Sequence, residues 1–475
     1  MKDTLKNILY NGLYQLVIII LPLLTVPYVS RILGSRGMGI NSLINSIPLL
    51  LTTIIIFGMN QLGVKVIAQS GSNDRRKNFV QLWLIQAIVG VLVILLFTVC
   101  SFFSHYAKYY LLEIPFLFGS LIDISWYYIG KGQIKKVILR NSLIKVLIVS
   151  SIFIFVRSAN DLWIYLLINS ITYLANFIFW VSLKSEFGRI FVREEVSFNR
   201  KYFLDAITVA LPTIAAQLYV SFDQSLVGWL AGPRQLSFYA LTQQMSRSFI
   251  TLIGSVSTVL MPKMASISLQ ENGTQSVLVL LKKSLSYTSL VSTLIVSIII
   301  SNAKIFVVWF WGDSFAPMAV DMALGCLIVF FVSVGGVFSN QYTLSKGLYK
   351  SYALPYYIGA VFSLTLNLLL VPHFKSLGGT VTIVLTEFLV CVIRVIVLKD
   401  RLPVISLISQ CRNYILAGIV TTVLVSLLPQ LPGSLFLSLV FRSSCGVVLF
   451  MACLIVLKDD ILVDINYILN GGDKK

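Results

Sequence analysis

Six ionisable side chains stand out within the long apolar runs of this 475-residue sequence: Arg31, Asp123, Asp223, Arg247, Glu387 and Arg394. A charge at membrane depth is costly, so it faces a protein interior, a water-filled cavity or the headgroup layer. The two signs suit different chemistry. A guanidinium presents a planar fork that matches phosphate oxygens. A carboxylate in the same setting pairs with an arginine, holds a proton, or does both.

Arg247, in YALTQQMSRSFITLIGSV, is too deep in its run to reach the interface. It is either a cation facing a cavity or the structural partner of a buried carboxylate. Arg31, in LPLLTVPYVSRILGSRGMG, lies near a run's end, so snorkelling to the interface is open beside a place at a cavity mouth. Pro22 and Pro27 nearby each remove a backbone hydrogen bond and can kink the helix. Glu387 and Arg394 are seven residues apart on one helix face, two turns being too far for a direct pair. Arg394 is also near enough to a run's end to snorkel. Asn141 and Lys145, in LRNSLIKVL, serve either helix packing or substrate contact. The candidate substrate-binding set is therefore Arg247, Arg31, Arg394, Asn141 and Lys145. The candidate ion-coupling or charge-pairing set is Asp123, Asp223 and Glu387. Charges of both signs on separate helices point to one polar cavity.

Other chemistries find little support. No GxxxxGK[ST] loop is present to cradle a nucleotide. The six cysteines form no CxxC pair, and the two histidines, His105 and His373, lie far apart. No Ser–His–Asp or paired-carboxylate arrangement stands out. The reading is of a non-enzyme with no cofactor and no metal.

The elements that must position these charges are membrane helices. Of the residues 57% are hydrophobic and 12% charged, and the mean hydropathy is +0.88. A soluble chain carries about 25% charged residues. A membrane helix needs about 20 mainly apolar residues. Fourteen runs qualify: 8–33, 41–64, 79–103, 109–129, 137–156, 162–183, 203–230, 236–260, 285–309, 318–342, 352–371, 377–398, 412–430 and 435–457. Apolar character barely dips at 33–41 and at 428–437. The basic N-terminus MKDTLKNILYNGLY opens the first span and lacks a signal-peptide cleavage pattern.

The net charge of +18 fits basic loops against anionic lipid, not nucleic acid, since no basic-aromatic module is present. With both termini cytoplasmic, eight of the 37 Lys and Arg fall on the outer side: Arg31, Arg36, Lys108, Arg157, Arg234, Lys304, Lys375 and Arg442. Arg247 is mid-span and the remaining 28 lie inside. This asymmetry supports an even number of spans.

The longest hydrophilic connection, KSEFGRIFVREEVSFNRKY, runs from Lys184 to Tyr202. It divides the chain into a six-helix lobe (1–183), a cytoplasmic linker (184–202), a second six-helix lobe (203–400) and two added spans with a tail (401–475). GKGQIKKV after span four matches SKGLYKSY after span ten, aligning Lys131, Gly132 and Lys135 with Lys346, Gly347 and Lys350. LPLLTVPYVSRILG in span one likewise faces LPTIAAQLYVSFDQSLVG in span seven. Six spans per unit make these parallel repeats.

In combination, PYVSRILGSRGMG, DISWYYIGKGQIKKVILRNSLIK, LPTIAAQLYVSFDQSLVG, VLMPKMA and LNLLLVPHFKSLGGT resemble the Wzx-type polysaccharide repeat-unit flippases. That family lies in the superfamily that includes multidrug (MATE) exporters. The resemblance implies an all-α polytopic protein of about 14 transmembrane helices, in two pseudo-symmetric MATE-like lobes plus two C-terminal helices. It implies passage of an undecaprenyl-diphosphate-linked oligosaccharide to the outer leaflet of a bacterial inner membrane, with polysaccharide polymerase machinery and anionic lipids as partners. It associates Arg31, Asp123, Asp223 and Glu387 with charged positions of the family pattern. Two positions depart from that pattern: Lys131 and Gly132 follow the span-four glycine where an acid is common, and Gln224 follows Asp223 where lysine is common. A drug or metabolite exporter of the same fold, and a polytopic glycan polymerase or ligase, are the alternatives. The second needs a sizeable outer loop, and none is long.

Overall fold

A computed structural model describes residues 2–71, 74–192, 196–267 and 273–459. The described residues are helical with short connections, as expected. The chain groups into two compact units, Met1–Ser237 and Phe238–Lys475.

The first unit holds α1 (Lys2–Ile56), α2 (Leu62–Gln69), α3 (Arg75–Phe102), α4 (Ala107–Leu111), α5 (Ile114–Leu121), α6 (Ser125–Gly130), α7 (Ile134–Phe155), α8 (Leu162–Ile171), α9 (Phe177–Phe187) and α10 (Arg200–Ala231). The division falls just inside α11 (Pro233–Ile267). The second unit continues with α12 (Gly273–Trp311), α13 (Ala319–Gly325), α14 (Leu327–Gly336), α15 (Tyr349–Ile396), α16 (Val404–Ser409), α17 (Cys411–Leu427) and α18 (Leu435–Val456).

Nine segments of the described residues are long and apolar enough to cross a membrane. Two of them are double. α1 breaks at Gly34 (φ 65°, ψ 178°), a conformation that favours glycine, so the chain turns where apolar character barely dips. α15 breaks at Lys375 (φ 55°, ψ −128°), three residues after Pro372. The broken run α4–α6 and the continuous α10 and α11 complete the fourteen.

Packing explains why α10, expected to open the second lobe, groups with the first unit. A Cβ on Gly58 would stand 3.1 Å from Ala206 O, and one on Gly39 would overlap the Pro233 carbonyl. Between those points Ser46 Oγ and Ser225 Oγ are 2.9 Å apart. Small residues let helices approach closely where lipid supplies no hydrophobic drive. The 184–202 connection is tied to α3: Gln81 Nε2 donates to Ser197 Oγ (2.8 Å), and Asn199 Nδ2 donates to Gln81 Oε1 (3.0 Å). Asn199 Oδ1 then caps α10 by accepting from Lys201 N and Tyr202 N.

The first unit's core is aromatic. Phe79 stacks on Trp126 and meets Tyr127 and Trp180 edge-on. The second unit buries Leu281, Leu285, Val334, Phe338, Cys391 and Leu398 together. There α14 runs into a π-helix, Val337–Thr343, in which Thr343 Oγ1 donates to Phe338 O (2.8 Å).

Candidate functional site

Asp123 lies in an unwound break between α5 and α6, where its Oδ1 accepts the Ser125 N–H at 2.8 Å and starts the next helix. A break strands backbone carbonyls, each costly if left unsatisfied in a membrane. Side chains from neighbouring helices meet them in turn. Asn176 Nδ2 donates to Gly119 O (2.9 Å), and Trp180 Nε1 donates to Ile122 O (2.7 Å). Gln86 Nε2 is shared among Ser120 O (3.2 Å), Leu121 O (2.9 Å) and Asp123 O (3.0 Å). Trp126 Nε1 fixes the other end of that amide, donating to Gln86 Oε1 (3.1 Å).

Arg140, on α7, faces this break. Its terminal nitrogen is 3.9 Å from Asp123 Oδ1, and its guanidinium carbon is 4.3 Å from the Phe179 ring centroid. Sequence reasoning passed over Arg140 in favour of its neighbour Asn141 and of Lys145, both half-buried on the same helix. One turn away Lys136 lies 5.5 Å from the Tyr128 ring, and Lys131 pairs with Glu186, which also accepts from Tyr127 OH (2.9 Å). Arg31 is exposed, three residues before the Gly34 break. Asp223 is 3% exposed, on the stretch of α10 that packs along α1.

In the second unit, α11 carries a buried polar stripe of Thr242, Gln243 and Ser246, with Arg247 half-buried beside it. Ser246 Oγ donates to Gly325 O (3.4 Å). Both polar atoms of the Gln243 amide and Arg247 Nε are buried without a hydrogen-bond partner among the described residues. Such orphans call for an occupant, water or ligand. Glu387 is 7% exposed and Arg394 6%, on the same helix. Arg394 is packed inside the protein, its guanidinium carbon 4.9 Å from the Tyr356 ring centroid. The structure thus distributes the eight candidates: Arg31, Asp123, Asn141, Lys145 and Asp223 in the first unit, and Arg247, Glu387 and Arg394 in the second.

Three buried charges escaped the sequence reading: Glu113, at the start of α5, Asp321 and Arg442. Asp321 accepts from Thr380 Oγ1 (2.9 Å) and Ser376 Oγ (3.2 Å). Arg442, counted with the outer cations, is buried and donates to Asn302 Oδ1 (2.9 Å), Leu428 O (2.6 Å) and Ser301 O (2.9 Å). Asp321 and Arg442 have no local sequence signal, because their partners lie on other segments of the chain. An apolar cavity of about 340 Å³ is lined by Val296, Ile300, Phe330, Phe331, Ile419 and Val423 of α12, α14 and α17.

The fold and its buried charges define a multi-pass membrane protein of the transporter type. A family model described as "Polysaccharide biosynthesis protein" matches residues 4–268, more than half of the chain. The chain belongs to that family. Two curated relatives are both named "Putative O-antigen transporter". The one from Escherichia coli (strain K12) is 25% identical over 392 residues, covering 81% of this chain and 94% of the relative. The one from Shigella dysenteriae is 21% identical over 406 residues, covering 81% and 97%. Among solved structures, the lipid II flippase MurJ in an inward closed conformation superposes with a TM-score of 0.71 at 14% identity, over 96% of this chain and 99% of that one. An inward-facing MATE family multidrug transporter of the MOP superfamily gives 0.65 at 13% identity, over 82% and 96%. These likenesses establish the fold, and it is the MATE-like one expected from the sequence.

Proposed function

We propose that this protein is a flippase that carries undecaprenyl-diphosphate-linked oligosaccharide repeat units from the cytoplasmic to the outer leaflet by alternating access. It performs no covalent chemistry. The observation that carries this reading is the orphaned polar stripe of Gln243 and Arg247 in a chain of the polysaccharide biosynthesis family. The hard step is moving an anionic diphosphate through hydrocarbon. A fixed guanidinium replaces lost hydration and matches phosphate geometry, while amide and hydroxyl groups such as Gln243 and Thr242 meet sugar hydroxyls.

On this reading both termini are cytoplasmic, the repeat corresponds to six-helix lobes at 1–183 and 203–400, and residues 401–475 add two spans and a tail. Arg31 meets the headgroup at the outer mouth. Arg140 and Lys145 extend the cationic lining in the first unit. Asp123, Asp223 and Glu387 balance these cations or carry a coupled ion. The apolar cavity on α12, α14 and α17 suits an isoprenoid tail. Basic inner loops hold the protein against anionic lipid, and a polysaccharide polymerase consumes the exported unit. Moving one charge across 100 mV is worth about 2.3 kcal/mol, so export of two negative charges from a negative interior gains roughly 4–5 kcal/mol.

Depletion of the protein tests this. Complete polyprenyl-diphosphate oligosaccharides accumulating out of reach of an impermeant lectin support a flippase. Absence of accumulation contradicts it.

A further inference from the structure

Arg394 and Arg442 are buried to nearly the same extent, at 6% and 5% exposure. Their surroundings differ. Each of the three Arg442 nitrogens has an acceptor: an amide oxygen and two backbone carbonyls. Arg394 has no carboxylate within ion-pair distance among the described residues, and its Nε has no acceptor. Its position in the last turn of α15 does not supply one. The carbonyls of Ile393, Val395 and Ile396 already accept from Val397, Leu398 and Lys399. What it has is an aromatic wall: Tyr356, with Tyr352 beside it at 5.5 Å between ring centroids. A ring covers one face of a guanidinium and leaves its donor edge open.

Room for that edge is made by α14. A Cβ on Gly335 would stand 3.0 Å from Arg394 Nη1 and 3.3 Å from its Cδ. Gly335 lies two residues before the π-helix, a feature frequent at functional sites. In sequence, Lys346 and Lys350 flank the start of α15 and Lys399 and Arg401 follow its end, so both termini of this element are basic. A buried cation that lacks a protein anion is stabilised by a ligand that brings one.

We propose that Arg394, Tyr356 and Gly335 form a binding site for a lipid-borne phosphate at the inner end of the second unit. It is a loading station from which the substrate phosphate passes on to Arg247. This deepens the flippase reading and rests on it for the identity of the lipid. The phosphate chemistry is shared by a polyprenyl diphosphate and by an anionic phospholipid headgroup.

The test uses the full chain in nanodiscs of neutral phosphatidylcholine, with undecaprenyl diphosphate and phosphatidylglycerol as separate probes. Arg394→Ala is expected to weaken undecaprenyl diphosphate binding by about ten-fold or more, the scale of a lost charge-assisted hydrogen bond. Arg394→Lys is expected to fall between. Gly335→Ala keeps the arginine and favours the helix, yet is expected to weaken binding by crowding the guanidinium. Without a probe, Arg394→Ala is expected to melt no lower than the parent, whereas a structural arginine would lower the melting temperature. Weakening confined to phosphatidylglycerol assigns the site to the bilayer headgroup and keeps its phosphate chemistry. Unchanged binding of both probes in Arg394→Ala, or a lowered probe-free melting temperature in that variant, overturns the proposal. These readouts do not require translocation, so failure of the flippase reading in cells is a separate result.

Discussion

The side-chain amide of Gln86, on α3, donates to the main-chain carbonyl of Asp123 at 3.0 Å and so holds open a break in a membrane helix. The same nitrogen reaches Leu121 O at 2.9 Å. An interrupted helix with no such donor would expose carbonyls to an apolar surrounding, at about 1–3 kcal/mol for each group left unmade. Gln86→Leu is therefore expected to reduce the yield of folded protein and lower its melting temperature in detergent. Trp180→Phe removes the one bond to Ile122 O and keeps an aromatic ring toward Phe79 and Trp83, and losing that bond is expected to cost about 1–3 kcal/mol. Thermal unfolding of both variants checks the order, with Gln86→Leu the more severe.

Ser46 Oγ and Ser225 Oγ face each other at 2.9 Å, linking α1 to α10. The approach of the two hydroxyl oxygens makes the pair a site to test with cysteines, a disulfide needing Cβ atoms about 3.5–4.5 Å apart. The double variant is expected to cross-link under oxidation, detectable as a shift in gel mobility after proteolysis between the two sites. If alternating access separates α1 from α10, transport stops on oxidation and returns with reductant. A cross-linked protein that still transports would show that this contact persists throughout the cycle.

Arg442 has an acceptor inside the protein for each of its three nitrogens, so its loss is expected to act on stability. Arg442→Ala strands Asn302 Oδ1 and two carbonyls. A hydrogen bond to a charged group is worth about 1.5–3 kcal/mol, and the melting temperature should drop. Whatever Arg442→Ala protein still folds is expected to keep the substrate affinity of the parent, which a binding isotherm would show.

The architecture was largely legible in the sequence because a membrane helix must satisfy its own backbone, which ties span length to hydropathy. The fourteen runs follow from that, including the turn at Gly34 inside what is otherwise one apolar stretch. The break at Asp123 was not legible. Its span keeps a mainly apolar composition across the break, and the groups that make the break tolerable, Gln86, Asn176 and Trp180, come from other helices. Arg140 was missed for a related reason. Its neighbours Asn141 and Lys145 have the same polar character, and only the packing of α7 against Asp123 and Phe179 distinguishes it. Arg394, placed in the substrate-binding set, lay close enough to a helix end that snorkelling stayed open beside that role. Its burial depends on Gly335 and Tyr356, remote in sequence. Grouping by packing also differs from division by repeat: α10 packs on α1 although its sequence opens the second half.

The most direct test of the central claim is the sidedness of lipid-linked oligosaccharides in cells carrying Arg247 variants, read with a lectin that cannot cross the membrane. Arg247→Ala is expected to insert normally and to trap complete units on the cytoplasmic face. Arg247→Lys should restore part of the outer signal, because the charge survives while the planar fork does not. Full outward exposure in Arg247→Ala would contradict the claim that this cation carries the diphosphate across.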